Sequence, residues 1–118
     1  MSNGWVGMRS NSEVLLETAE LISSRDSLAK KTFKDQYGNF CLLGALREVT
    51  GLGMDMYQRE DLYHDPNYKQ YCKVTKWLER TVLTGGIAEF NDRADTTKED
   101  AVLMLKRAAE REDCDGES

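Results

Sequence analysis

The chain has 118 residues, 40% of them hydrophobic, which is enough for one modest core and too little for two. Its formal charge of −5, from 16 basic and 21 acidic residues, works against the general phosphate attraction that drives most nucleic-acid binders. No apolar run approaches the roughly 20 residues of a membrane span, and three cysteines without a CxxC spacing beside a single histidine support neither a disulfide framework nor a zinc site.

Residues 1–9 show no basic segment followed by an apolar stretch, so no secretory signal is expected and the protein is placed in the cytoplasm, with residues 1–11 as a flexible lead-in. From 12 to about 24, Leu15, Ala19 and Ile22, flanked by Val14 and Leu21, recur at helical steps, and Ser12 offers an N-cap. Residues 27–39 hold Lys30, Lys31, Lys34, Asp35 and the turn signal Tyr37-Gly38-Asn39, and read as a loop with room for one helical turn. A second helix is predicted over 41–51, where Leu42, Ala45, Leu46 and Val49 define one buried face and Gly51 suits a left-handed C-terminal cap. Gly44 and Ala45 on this helix are small enough to let another backbone approach closely.

Asp65-Pro66 is the strongest helix-start signal in the chain and opens a third helix over 66–83. Tyr68, Tyr71, Thr75, Leu78 and Val82 mark its inward face, with Val74 beside it, and Gly85-Gly86 end it. A polar loop containing Phe90-Asn91-Asp92-Arg93 then leads to Thr96-Thr97-Lys98-Glu99, which fits a capping box for a fourth helix over 97–111 carrying Val102, Leu105, Ala108 and Ala109. Residues 110–118 are charged and poor in apolar groups and read as a disordered acidic tail. No strand pattern alternates anywhere. The predicted architecture is an all-α, single-domain bundle of about four helices over 12–109, with Leu15, Ile22, Leu42, Leu46, Val49, Leu78, Val82, Val102 and Leu105 in its core.

The most distinctive segment, Gly38-Asn39-Phe40-Cys41-Leu42-Leu43-Gly44-Ala45-Leu46, sets a cysteine at a helix start directly after a turn. The helix N-terminus there favours the thiolate, the form that acts as a nucleophile. A thiol hydrolase or transferase also needs a base, and the only histidine, His64, lies in the Tyr63-His64-Asp65-Pro66 turn with no sequence signal that brings it to Cys41. The plainer reading makes Cys41 a small apolar residue packed where the helix enters the core, and His64 an exposed turn residue. Asn91 and Asp92 could orient a catalytic base, with Asp92 the third member of such a site, or could simply satisfy backbone groups at a loop and helix end.

Cys41-Leu42-Leu43-Gly44-Ala45-Leu46, followed by Asn91-Asp92-Arg93 and Thr97-Lys98-Glu99-Asp100-Ala101-Val102, resembles an uncharacterised family of small proteins from actinobacteria and their phages, over about residues 33–109. This chain departs from that pattern in carrying Leu42 where alanine is usual and Ala101 between Asp100 and Val102. The resemblance brings no activity with it. It implies a phage or prophage setting, and a meeting of Cys41 with Asn91 and Asp92 in space, as a site or as a hydrogen-bonded brace between helices.

Lys69, Lys73, Lys76 and Arg80 follow one another at steps of four, three and four and line one face of the third helix, with Tyr68 and Tyr71 nearby. That face could meet an acidic protein surface or phosphates, or be the ordinary solvated side of an amphipathic helix. Catalytic constellations are missing, so the sequence is read as a non-enzymatic protein-binding module, plausible as a phage or prophage factor that acts on a host or defence protein. A Cys41-dependent enzyme and a nucleic-acid binder are the alternatives. No cofactor, metal or membrane is expected, and the oligomeric state is open.

Overall fold

The computed structural model describes residues 10–52, 66–82 and 85–115. His64 and the Asp65 cap therefore lie outside the described residues, as do Trp5, Tyr57 and Tyr63, aromatics that by residue type could populate an interface. Five helices occur among the described residues: α1 (Asn11–Ser23), α2 (Leu42–Thr50), α3 (Pro66–Val82), α4 (Ile87–Asp92) and α5 (Lys98–Asp115). No strand is present among them, and the only β-pairing is an isolated antiparallel bridge between Lys34 and Phe40. The all-α, single-domain architecture matches the one expected from the spacing, with one more helix.

The helices meet because each carries an apolar stripe too wide to leave in water. α1 packs most extensively on α5, which also meets α3, while α2 lies against α1 and α3. Val14, Leu15, Ala19 and Ile22 of α1, Leu42, Ala45 and Leu46 of α2, Val74, Leu78 and Val82 of α3, and Ala101, Leu105 and Ala108 of α5 form one core. Val49 and Val102, expected inside, are half-buried and pack on its margin. On α3 the stripe centres on Val74, Leu78 and Thr81, and Tyr68, Tyr71 and Thr75 sit at its edge.

Three local expectations shift. α1 is capped by Ser10 rather than Ser12: the Ser10 hydroxyl accepts from the Glu13 N–H at 3.1 Å and the Glu13 carboxylate accepts from the Ser10 N–H at 3.0 Å. That reciprocal pair needs a glutamate three residues on, which Ser12 lacks, and Ser12 is buried in the first turn. The capping box of α5 is likewise one residue later than read, between Thr97 and Asp100 at 3.0 and 3.1 Å. Thr96 is buried before the helix and gives its carbonyl to Lys30 instead. α5 then continues to Asp115, past the expected end and into the segment read as tail, with Cys114 on its last turn.

Residues 27–39 form no helix, as expected, and Asp35 organises their turn. Its carboxylate accepts from the Tyr37 and Asn39 N–H groups at 2.9 and 3.0 Å and from Asn39 Nδ2 at 3.2 Å. Partial desolvation pushes this carboxyl up, and the hydrogen bonds from Asn39, Tyr37 and Gly38 outweigh it and hold its pKa below the ordinary value. Gly38 takes the left-handed φ of 86° that the turn requires. No described helix is long and apolar enough to cross a membrane.

Candidate functional site

α2 begins where the chain turns inward at Cys41, so its first N–H groups are buried and need acceptors. Cys41 is itself the N-cap, and its Sγ accepts from the Gly44 N–H at 3.2 Å. The Leu42 N–H goes to Asn91 Oδ1 at 2.9 Å, an acceptor 49 residues further along the chain. Asn91 Nδ2 donates to the Ala29 carbonyl at 2.9 Å and to Asp92 Oδ1 at 3.0 Å, so every polar atom of this side chain is engaged while it is only 2% exposed. The neighbours dictate the orientation of the amide: a backbone N–H demands its oxygen and a backbone carbonyl its nitrogen.

The same junction is tied in the opposite direction. Lys30 Nζ donates to the carbonyls of Asn91, Arg93 and Thr96 at 2.6, 2.8 and 2.7 Å. These are the orphan acceptors at and beyond the C-terminus of α4, where a cation is favoured by the helix dipole. The Lys31 N–H donates to Asp92 Oδ1 at 2.8 Å, with Lys31 in a left-handed conformation at φ 62°. Lys30→Met, which keeps most of the apolar stem and strips three hydrogen bonds from partly wet carbonyls, is expected to cost about 2 kcal/mol, read as a lower urea midpoint at unchanged slope.

Gly44 lies against the backbone of Phe33, whose carbonyl accepts from the Cys41 N–H at 3.1 Å. The close approach expected of Gly44 and Ala45 is thus made by the preceding loop on Gly44, while Ala45 is fully buried in the core.

Cys41 lies beside Asn91 and Asp92, and it is Asn91 and Asp92 that form the brace, through Leu42, Ala29 and Lys31, while the Cys41 Sγ is held by the Gly44 N–H of its own helix. The Asn91-Asp92 pair, expected in a polar loop, sits on the last turn of α4, a helix of six residues that is too short to show a period in the sequence. Cys41 does not have the activated thiol that a helix start suggests. Burial pushes its pKa up, Asp92 pushes it further, and the N–H groups of Gly44 and Leu43 only partly oppose them. The thiol therefore stays protonated at neutral pH and ionises only above the ordinary cysteine value. In the folded protein at pH 7–8, Cys41 is expected to react with iodoacetamide at least about tenfold more slowly than after unfolding in urea, as read by peptide mass spectrometry; fast labelling in the native state would reinstate it as a nucleophile.

The basic stripe is exposed as the helical spacing implies. Lys69, Lys73, Lys76 and Arg80 all face solvent on the side of α3 turned away from Val74 and Leu78. Trp77, an aromatic that the sequence leaves open between an interface and the core, is half-buried beside them, and the Arg80 guanidinium lies 5.2 Å from its ring centroid. Nearby, the Arg47 guanidinium of α2 lies 5.3 Å from the ring centroid of Phe33 in the preceding loop and 5.6 Å from that of Tyr71 on α3. No cluster of metal-ligating residues occurs among the described residues.

A family model described as a family of unknown function (DUF6197) matches residues 8–111. No curated protein and no solved structure matches the chain.

Proposed function

We propose that this chain, which belongs to the DUF6197 family of unknown function, is a non-enzymatic binding module that docks an acidic surface of another protein on the outer face of α3. The observation that carries this reading is the exposed row Lys69, Lys73, Lys76 and Arg80, set beside the Arg80–Trp77 stack on the side of α3 away from the core. A row of cations steers an acidic partner, and a tryptophan with a stacked arginine is the kind of anchor that holds it. The engagement of Cys41 and Asn91 in the helix junction supports a binding role over the thiol-enzyme alternative. The negative net charge favours a protein partner over nucleic acid. Resemblance to small actinobacterial and phage proteins supports a host or defence component as that partner.

The test compares the wild type with a Lys69→Glu/Lys73→Glu/Lys76→Glu/Arg80→Glu variant. A partner recovered by the wild type at stoichiometric levels, and lost by the folded variant, is the expected result. Recovery of the same partner by both excludes this face, and no recovery by either counts against the reading. Binding of DNA at low salt that collapses steeply as salt rises would transfer the face to nucleic acid.

A further inference from the structure

A cleft of about 300 Å³ opens beside the helix junction, between residues 31–33, the start of α2 and α4. That volume is at the lower end of the roughly 300–1,000 Å³ typical of small-molecule sites. Phe33, Leu43, Ala88 and the sulfur of Cys41 supply its apolar walls, and Thr32 and Asp92 its polar ones, with Lys31 and Asn91 completing it.

The hydrogen-bond inventory of the lining groups restricts what the cleft can recognise. Asn91 has no donor left, since both of its N–H groups are used in the brace, and its oxygen, which already accepts from the Leu42 N–H, can offer only its second lone pair. Cys41 Sγ is occupied by the Gly44 N–H. The Thr32 hydroxyl hydrogen is directed at the Lys34 carbonyl at 3.4 Å, so the hydroxyl offers lone pairs. Asp92 Oδ1 is held by two donors, the Lys31 N–H and Asn91 Nδ2, which orient the carboxylate, and its Oδ2 takes no hydrogen bond from the described residues. The polar side of the cleft therefore presents acceptors: a pre-oriented carboxylate oxygen and a hydroxyl. The left-handed backbone of Lys31, unfavourable for a residue with a Cβ, is what brings its N–H to Asp92. Lys31 Nζ is on the exposed rim, where solvent screens it.

We propose that this cleft is a binding site for a small organic cation that combines N–H donors with a flat apolar body, its donors on the Asp92 carboxylate and its body against Phe33, Leu43 and Ala88. Orientation of Oδ1 by two protein donors spares the ligand the cost of ordering the carboxylate, which is the usual benefit of a pre-organised site. The site is separate from the α3 face and stands or falls independently of it.

The test uses benzamidinium as the probe and benzoate as its counterpart of the same shape and opposite charge, with amide resonances of the full chain followed by NMR. Benzamidinium is expected to shift the Lys31, Phe33, Leu43 and Ala88 amides, saturating at or below the order of 10 mM, and benzoate to bind at least about tenfold more weakly. Asp92→Asn, which retains an oxygen for the Lys31 and Asn91 donors while removing the charge, is expected to weaken benzamidinium binding at least about tenfold with the remaining spectrum unchanged. Ala88→Leu, at an exposed position on the rim, is expected to abolish binding by filling the cleft without touching the brace, and serves as the second variant if Asp92→Asn disturbs the fold. Absence of localised shifts, equal binding of benzoate, or undiminished binding by both variants would each overturn the proposal.

Discussion

Asn91→Ala is expected to remove about 4 kcal/mol of stability, a large share of the roughly 5–15 kcal/mol that holds a domain of this size folded. The substitution deletes one side chain and leaves two buried backbone groups without partners, the Leu42 N–H at the start of α2 and the Ala29 carbonyl in the preceding loop. Each stranded group costs about 1–3 kcal/mol, far more than the net worth of the hydrogen bond it made. Urea unfolding measures the loss directly, and the midpoint of thermal unfolding is expected to fall by on the order of 20 °C. Asn91→Asp separates the two halves of the effect. It keeps an acceptor for the Leu42 N–H but replaces the donor to Ala29 with a carboxylate placed next to Asp92. The folded-state pKa of the introduced carboxyl is raised by burial and by that neighbouring charge, so its protonated form is the one compatible with the fold. Its destabilisation is therefore expected to be greatest at neutral pH and to shrink as pH falls towards and below its folded pKa, where the acid O–H can donate to Ala29. A change within about 0.5 kcal/mol for Asn91→Ala, as for an ordinary exposed loop position, would contradict the brace.

Gly44→Ala carries the second large effect, and its sign is what distinguishes it. In an exposed helix the replacement adds up to about 1 kcal/mol of stability, because glycine is the poorer helix former. Here the new Cβ would stand 2.7 Å from the carbonyl carbon and 2.9 Å from the Cα of Phe33, and closer still to its carbonyl oxygen. Those are backbone atoms, and the carbonyl is committed to the Cys41 N–H. Relief requires the loop to separate from α2, which weakens that hydrogen bond and disturbs the Lys34–Phe40 bridge beside it. A net loss of about 3 kcal/mol is expected in urea unfolding. Ala45→Gly, one residue along on the core-facing side, provides the scale for an ordinary change on the same helix, at about 1–2 kcal/mol from lost propensity and a lost buried methyl group. A stabilised Gly44→Ala would mean that the loop does not lie on α2 in solution.

Both effects come from one point in the molecule, where the 29–33 segment, α2 and α4 are fastened together. The apolar packing of the bundle brings the helices into register only approximately, since hydrophobic attraction has little directionality. Directional bonds from Asn91, Asp92 and Lys30 decide where α4 sits and how the loop crosses it. The cleft beside Asp92 and the rigidity of its carboxylate follow from that same fastening.

The all-α class, the extents of the first three helices to within a residue or two and most of the core residues were legible in the sequence, because a helix declares itself through local spacing. Leu15, Ile22, Leu42, Leu46, Leu78 and Leu105 are buried because they repeat at steps that face one side. Gly51 ends α2 at φ 85° because a left-handed cap needs no partner outside its own turn. The basic row on α3 was legible for the same reason, as a pattern within one helix. The caps of α1 and α5 were missed by a residue or two: Glu13, three residues after Ser10, already separates it from Ser12 in the sequence, whereas Thr96 and Thr97 each have an acidic residue three positions on and are separated only by the burial of Thr96. α4 was invisible, since six residues give no period to read, and its stability comes from Ile87 in the core and Lys30 on its end. The state of the Cys41 thiol depended on a balance the sequence does not contain: the helix start lowers its pKa, but burial and the Asp92 charge, both supplied by other elements, raise it more. Periodicity and capping act within a few residues, whereas desolvation and side-chain bonds to the backbone act across dozens, and it is the second group that made a brace of Asn91 and Asp92 and buried Cys41 beside it.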